Sequence, residues 1–322
     1  MEHRRWVSAG RTLSFALLAV VIGGCCAKKP APPPVVLKPK PPEAWIKADA
    51  FCILPLSESV VPPTGGQLAD SMLSAWIKAF TFPDAAKVVT LIGGRYPAID
   101  VMRVDLSDAV AIPKAKRPSV GELKPSVQSL WVSDFSLVAE PLRSKESDSQ
   151  ANMQITASGV RFDVQKSKDG MPLLMMADAG SGTLHFDTLT RDLEKSMLTA
   201  AKERGSRGLV SVRNISLDFK SVGPRSIDAV MHVSTLVGFI PAGMKFTARV
   251  DIDDQMNATI YNLTAEGDEA LGPLIVQFIR PSLAKYDGKT KPLMSFPNPE
   301  VKLKDVQISA GERITLDAVF GK

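Results

Sequence analysis

Few side chains in this sequence have a type and spacing that could carry out chemistry. After residue 24 there are two histidines, His185 and His232, and neither stands in a His-x-x-x-His or Cys-x-x-Cys arrangement that would hold zinc. His232 falls on the polar face of an alternating segment, and His185 lies beside Phe186 near a predicted turn. We therefore expect both histidines to be structural, and we expect no metal and no other cofactor.

The short motifs of the common enzyme classes are also missing from the sequence. It contains no Gly-x-Ser-x-Gly elbow, no phosphate-binding Gly-Lys-Ser/Thr loop and no glycine-rich dinucleotide turn. Asp251, Asp253 and Asp254 cluster at a predicted hairpin and could hold Ca²⁺ weakly, but turn chemistry explains them at least as well. We predict that the protein is not an enzyme and has no catalytic residues.

The first 25 residues have the organisation of a targeting segment. Arginines within residues 4–11 form a basic start, residues 13–22 are an apolar run too short to span a bilayer, and Gly23-Gly24-Cys25 closes the segment. This arrangement resembles a bacterial lipoprotein signal peptide with its lipobox. The resemblance implies that residues 1–24 are removed and that the Cys25 thiol receives a diacylglycerol and becomes the lipid attachment site, which palmitate labelling would detect.

Alternatives to this interpretation stay open at the sequence level. The segment could be an ordinary secretory signal with a chance cysteine, or Cys26 could be the modified residue. Cys26 and Cys52 could pair in an oxidising compartment, although the apolar neighbours of Cys52 favour a buried, unpaired thiol.

The acyl chains would tether the protein to a membrane while its body stays in water. Residues 25–43 are rich in proline and lysine, which favours an extended spacer of about 3.1 Å per residue. By the same resemblance, the lack of aspartate directly after Cys25 favours the outer membrane, with the body facing the periplasm. We predict a lipid-anchored protein of the cell envelope.

The charge of the chain gives no support for nucleic-acid binding. The formal net charge is +5 over 322 residues and falls to about +3 once residues 1–24 are removed. The sequence also lacks a stripe of arginines interleaved with aromatic residues. We expect no nucleic-acid partner.

The most apolar predicted helix lies between Asp268 and Tyr286, with Asp268 as its N-cap and Pro281 bending or interrupting it. Large apolar side chains recur in it at three- and four-residue spacing and cover more than one side. Burying six of them would contribute about 9–18 kcal/mol as an upper bound. These six are the candidate ligand-binding residues: Leu271, Leu274, Ile275, Phe278, Ile279 and Leu283.

Segments with period-two alternation surround this helix in the sequence. Apolar and polar side chains alternate over residues 227–233, 246–252 and 314–320. Turn residues occur at 223–224, 241–243 and 253–255. Together with a helix predicted over Leu189–Arg204, these segments form the second half of the body, residues 187–322, and they indicate an antiparallel meander with one apolar face.

The first half of the body, residues 44–186, mixes helix and strand. We predict a helix over Gln67–Phe80. Strands are predicted at residues 45–54, 98–106, 129–139, 153–164 and 173–177.

The order of elements from Leu189 onward resembles the tubular lipid-binding (TULIP) superfamily. In that superfamily a curved sheet rolls around a long helix, and acyl chains bind in the seam between them. The resemblance implies an α+β fold in which a curved antiparallel meander wraps long apolar helices, and it transfers no catalytic residue.

These observations predict a non-catalytic envelope lipoprotein that binds a lipid or another apolar ligand between the helix at residues 271–283 and the meander. The alternative is a structural or assembly lipoprotein with a solid core that binds an envelope protein partner. A hollow space between helix and sheet would favour the first function.

Overall fold

The structure is a computed structural model that describes residues 52–58, 60–113, 115, 128–167, 170–205 and 210–322. The predicted signal segment, Cys25 and the spacer at residues 25–43 lie outside the described residues. Strands dominate the described ranges, and the helices are short. The strands are β1 Ile53–Pro55, β2 Phe80–Thr81, β3 Val89–Ile92, β4 Ala98–Asp105, β5 Val110–Ala111, β6 Ser129–Ser144, β7 Ser149–Lys166, β8 Pro172–Asp178, β9 Ser181–Leu189, β10 Val210–Gly223, β11 Ser226–Val237, β12 Ile240–Ile252, β13 Asn257–Asp268, β14 Thr290–Pro292, β15 Lys302–Ser309 and β16 Arg313–Gly321.

Three α-helices are described: α1 Gly65–Trp76, α2 Thr190–Gly205 and α3 Gly272–Leu283. A single 3₁₀ turn covers Ala85–Lys87. The side chain of Thr64 caps α1 by accepting a hydrogen bond from the Gln67 N–H, and Leu68 and Met72 on its inner face are fully buried.

The strands form two sheets. The larger one has eleven strands, with the main order β15-β16-β9-β7-β6-β4-β3, while β1 and β8 and also β2 and β5 lie off this path. Strand β6 pairs in parallel with β4 and β5, and the remaining pairs are antiparallel. The smaller sheet is an antiparallel meander of five strands, β10 to β14.

One end of the smaller sheet is attached to β15 of the larger sheet. Arg225, in the turn between β10 and β11, donates from Nη2 to Asp305 Oδ1 at 2.6 Å and from Nε to the Val306 carbonyl at 3.2 Å. The Ile308 N–H donates to the Pro224 carbonyl at 2.8 Å. Helix α2 packs on β10 and also contacts β7 and β9. The larger sheet and α2 therefore cover the inner face of the smaller sheet.

The structure corrects the predicted fold class. The described part of the chain is mostly β, with two large sheets and three short helices, and it is not an α+β fold in which a curved sheet wraps long helices. A 12-residue helix such as α3 is roughly 18 Å long at 1.5 Å per residue, whereas the 18 residues of β7 reach roughly 60 Å. A helix of that length cannot serve as the axis of sheets built from such strands.

Individual elements agree with the sequence patterns to different degrees. The alternation over residues 227–233 and 246–252 predicts parts of β11 and β12 correctly, and α2 begins and ends within one residue of its predicted bounds. The alternating residues 314–320 do form a strand, β16, but it pairs with β9 and β15 in the larger sheet and does not extend the meander. The division between residues 186 and 187 falls inside β9.

The apolar helix is shorter than predicted. Asp268 is the last residue of β13 and is not the N-cap of the helix. Helix α3 begins at Gly272, and its N-cap is Leu271, whose side chain makes no capping hydrogen bond. Pro281 lies inside the last turn of α3, which ends two residues later at Leu283, so this proline marks the end of the helix and does not divide it.

Close backbone contact seats α3 on the smaller sheet. A Cβ atom at Gly267 of β13 would lie 2.2 Å from the carbonyl carbon of Gly272, and one at Gly272 would lie 2.2 Å from the carbonyl oxygen of Gly243. Real Cβ atoms do not approach backbone that closely, so glycine is required where α3 crosses these strands.

We expect Gly267→Ala to lower the free energy of unfolding by about 1–3 kcal/mol, because the added methyl group must push the first turn of α3 off the sheet. Gly223→Ala is the matched control, since a Cβ atom there meets nothing within 4 Å. Urea unfolding followed by circular dichroism measures both changes. Equal effects of the two substitutions would show that α3 does not depend on this contact.

Candidate functional site

The inner face of the smaller sheet is apolar because its strands pair in register. Ile227 pairs with Val250, and Met231 pairs with Phe246 across β11 and β12. Since side chains on a strand alternate between faces, these pairs and their neighbours two residues away share one face. The apolar face predicted for residues 227–233 and 246–252 is confirmed.

Two small side chains interrupt this face at its centre. Ala229 and Ala248 are register partners on β11 and β12, and Ala229 is also opposite Phe219 on β10. Alanine leaves open the volume that a leucine or isoleucine would fill at the same position. This pair forms the floor of an apolar cavity of about 90 Å³ that is partly open to the surface.

The larger sheet and α2 supply the opposite wall of the cavity. Leu193 comes from α2, Phe186 from β9, Ile308 from β15, and Ile314 and Leu316 from β16. Several of these side chains belong to the main hydrophobic core, whereas Ala248 on the floor belongs to a second apolar cluster beneath α3. The cavity therefore lies where the two clusters meet without filling the space between them.

Among the described residues, no charged side chain lines the cavity. It consists of Phe186, Thr188, Leu193, Leu217, Phe219, Ile227, Ala229, Val230, Met231, Phe246, Thr247, Ala248, Val250, Ile260, Leu263, Ile308, Ala310, Ile314 and Leu316. Thr188 donates its hydroxyl to the Gln150 carbonyl at 2.8 Å, so that group is already engaged. A space with so few polar partners holds water poorly and favours apolar occupants.

Charged side chains of the same strands lie on the outer face and pair there. Arg249 on β12 donates from Nε and Nη2 to the two carboxylate oxygens of Asp228 on β11, at 2.7 and 3.0 Å. The hydrogen bond from Arg249 lowers the pKa of Asp228. The carboxylate stays ionised outside the sheet, and the cavity keeps its apolar character.

The six side chains predicted to bind ligand do not line this cavity. Leu283 is buried in the cluster with Val250, Ile260 and Leu263, and Ile279 packs against that cluster. Leu271 and Ile275 are half-buried, while Leu274 and Phe278 are exposed on the outer side of α3. The assignment of a ligand site to α3 remains a prediction, and the apolar space that the structure provides lies beside this helix on the same sheet.

The sequence patterns reveal only half of the cavity. The alternation over β11 and β12 identifies the inward residues, including Ala229 and Ala248, but a small residue in an alternating strand gives no signal of empty space. The opposing Ile314 and Leu316 are also in a predicted strand, yet their position across the cavity depends on sheet pairing that local alternation does not specify.

The aspartates of the β12–β13 hairpin have separate partners. Asp253 accepts from the Asn257 N–H at 2.8 Å, which lowers its pKa, and Asp254 accepts from Arg225 at 3.0 Å. Asp251 accepts from the Ser226 hydroxyl. Turn and cross-strand hydrogen bonds therefore account for all three carboxylates, and no group of three or more metal-ligating side chains occurs within the described ranges.

The two histidines lie away from the cavity lining. His232 is exposed on β11 opposite Lys245, in agreement with its predicted polar face. His185 lies between two aspartates of the larger sheet, with Nδ1 at 2.7 Å from Asp317 and Nε2 at 3.6 Å from Asp187. Both ring nitrogens of His185 face carboxylates, which positions the ring as a link between β9 and β16.

Cys52 is buried and free, as its apolar neighbours predict, and burial raises the pKa of its thiol to about 12. It is the only cysteine in residues 27–322. A thiol with that pKa is ionised to roughly 0.03% at pH 8.5, whereas an ordinary thiol is about half ionised.

We expect iodoacetamide at pH 8.5 to modify Cys52 in folded residues 27–322 at least ~100-fold more slowly than in urea, because the reagent attacks the thiolate. Raising the pH should speed the native reaction about tenfold per unit until the protein unfolds. Mass spectrometry of quenched samples follows both rates, and similar rates in the two states would contradict the burial of this thiol.

No helix in the described part of the chain is long and apolar enough to cross a membrane. No protein-family model matches the sequence, and it matches no curated protein and no solved structure.

Proposed function

We propose that this protein is a non-catalytic lipoprotein of the cell envelope, anchored through acyl chains on Cys25, and that its charge-free cavity binds an apolar ligand such as the end of a lipid acyl chain. The single observation that supports ligand binding is the space of about 90 Å³ above Ala229 and Ala248, between the two sheets. The anchor is supported by the lipobox-like segment that ends at Cys25.

The size of the cavity sets what it can contribute to affinity. A volume of 90 Å³ is smaller than the roughly 150 Å³ of an apolar cavity that binds benzene, so it accepts a short apolar group. Burying about three methylene groups contributes roughly 2.4 kcal/mol, far below the roughly 8 kcal/mol of a micromolar complex. The remainder of the affinity must come from ligand groups outside the present cavity or from a wider one.

Widening is supported by the kinds of side chain in the lining. Met231 is unbranched and can change rotamer at little cost, and it packs beside Phe246 on the floor. Because one side of the cavity is partly open, a chain end could enter while the rest of the ligand stays at the surface. A lipid acyl chain meets both requirements.

The lining offers no set of groups for catalysis. The only polar side chains there are Thr188 and Thr247, and no acid or base lies beside them in the lining. An acyl transfer or hydrolysis would need a nucleophile, a base and donors for a developing oxyanion. Binding without chemistry is therefore the function that this arrangement favours.

The test is to extract purified residues 27–322 with organic solvent and to analyse the extract by mass spectrometry, alongside uptake of a fluorescent fatty acid. We expect one co-purifying lipid species or saturable uptake by the emptied protein. If neither occurs, ligand binding fails and the alternative of a solid-core assembly protein with an envelope partner takes its place.

A further inference from the structure

The β11–β12 hairpin ends in a fully exposed aromatic side chain. Phe239 is 98% exposed and Ile240 is 47% exposed, and both follow Gly238, whose positive φ of 63° makes the turn. A solvated phenylalanine at the end of a hairpin has no packing role in the protein itself. One exposed apolar side chain is common on protein surfaces, whereas several at one end of a protein mark an interaction site.

A second pair of exposed apolar side chains lies on the outer face of α3. Leu274 and Phe278 are 51% and 76% exposed and, four residues apart, they lie on one side of the helix. The start of α3 meets the hairpin, because the Leu271 N–H donates to the Pro241 carbonyl at 3.4 Å. We call Phe239, Ile240, Leu274 and Phe278 the apolar tip.

Both segments that form the apolar tip lack charge over a long stretch. Residues 233–244 contain no Asp, Glu, Lys or Arg, and neither do residues 270–279, while the exposed Asp268 and Glu269 lie between these stretches at the end of β13. The tip lies at the end of the smaller sheet opposite the Arg225 junction with β15. It is therefore the end of that sheet which is free of the larger one.

The composition and shape of the apolar tip favour a lipid bilayer over a protein groove. Protein-binding hot spots are enriched in Trp, Tyr and Arg, and the tip contains none of them. Its side chains project outwards from a turn and from the outer side of α3. Apolar side chains that project in this way are typical of segments that lie in the membrane interface.

The chain before the described residues places a bilayer within reach. The spacer at residues 25–43 adds 18 residues after Cys25, which would reach about 56 Å at about 3.1 Å each when extended. That length is comparable with the roughly 60 Å of the longest described strand, β7, so the far side of the body can turn towards the membrane.

We propose that the apolar tip inserts into the lipid interface of the membrane to which the protein is anchored. The proposal rests on the proposed anchor for its proximity to lipid, but not on a ligand in the cavity. Docking at the tip would hold the free end of the smaller sheet against the bilayer. The inner face of this sheet forms the cavity floor.

The test places p-benzoylphenylalanine at position 239, and separately at position 278, of the full acylated protein. The protein is reconstituted in vesicles of phosphatidylethanolamine with a minority of phosphatidylglycerol, irradiated, and searched for lipid adducts by mass spectrometry. Val222 is the matched control, because it is 49% exposed near the other end of the same sheet. All three sites are exposed, so thermal melting should match the parent protein.

We expect lipid adducts at positions 239 and 278 to exceed those at 222 by about tenfold, as an inserted site would require. Equal yields at the three positions would overturn the proposal, and so would a crosslink from 239 to a second copy of the chain. Flotation of the protein with the vesicles reports the anchor separately, and extraction of the soluble body reports the cavity. Failure of the apolar tip is thus distinguishable from failure of the proposed function.

Discussion

Ala229→Leu is expected to reduce uptake of a fluorescent fatty acid by residues 27–322 at least tenfold. Ala229 forms the centre of the cavity floor, and a leucine there would occupy much of the 90 Å³ that a ligand needs. Losing the burial of about two methylene groups corresponds to roughly 1.6 kcal/mol, which is slightly more than tenfold in affinity. A titration of the emptied protein measures the change.

The same substitution should not destabilise the protein. Filling a cavity recovers about 24 cal/mol per Å³, so closing 90 Å³ could add up to about 2 kcal/mol to the free energy of unfolding. Ala98→Leu is the matched control, because Ala98 is an exposed strand residue of β4. Retained uptake in Ala229→Leu, or an equal loss in Ala98→Leu, would place the ligand somewhere other than this cavity.

Cys25→Ala is expected to abolish incorporation of labelled palmitate when the full chain is expressed in a bacterium. The thiol is the atom that receives the diacylglycerol in the lipoprotein signal that residues 22–25 resemble, and alanine has no group that could replace it. Anchoring by several acyl chains adds about 0.8 kcal/mol per buried methylene, so Cys25→Ala should bind membranes far more weakly than the parent protein.

Cys26→Ala serves as the control for this experiment, since it removes the neighbouring thiol and leaves the lipobox unchanged. It should label like the parent chain. Labelling that persists in Cys25→Ala and disappears in Cys26→Ala would move the attachment site by one residue, and an unlabelled parent chain would remove the anchor from the proposed function.

The sequence predicted local structure well where a single strand or helix determines the pattern. The alternation around Met231 and Phe246 identified both the strands and their inward faces, and the turn residues at 253–255 closed the β12–β13 hairpin as expected. These features depend on side-chain period and turn chemistry, which are properties of neighbouring residues.

One turn was placed wrongly for a physical reason. Residues 241–243 have turn composition but lie inside β12, and the chain reverses instead at Gly238 and Phe239. Pro241 is tolerated because it is the second residue of its strand, where a missing donor matters least. Gly243 leaves room for the side chain of Asp268 on β13, because a Cβ atom at Gly243 would overlap that carboxylate.

The rotation of α3 was the main feature that the sequence pattern could not predict. Six large side chains suggested burial on more than one side, but the close contact of Gly272 with Gly267 turns Val276 and Leu283 inwards. Leu274 and Phe278 are left outside as a result. Helical period identifies a stripe of apolar residues, whereas the choice among stripes is made by backbone contacts with distant strands.

Sheet membership lay beyond local pattern as well. Residues 314–320 alternate like the meander strands, yet they belong to the larger sheet and face the cavity from the other side. A strand joins a sheet through partners that can lie far away in the sequence, as β9 does from β16. The local pattern of a single sequence does not identify such partners.

The most direct test of the central claim is a crystal structure of residues 27–322 with a fatty acid brominated at its terminal carbon. Anomalous scattering locates bromine without ambiguity. We predict a bromine peak between Ala229 and Ile314, inside the apolar cavity. A peak on the outer side of α3 beside Phe278, or no ordered bromine at all, would contradict the claim that the space between the two sheets is the ligand site.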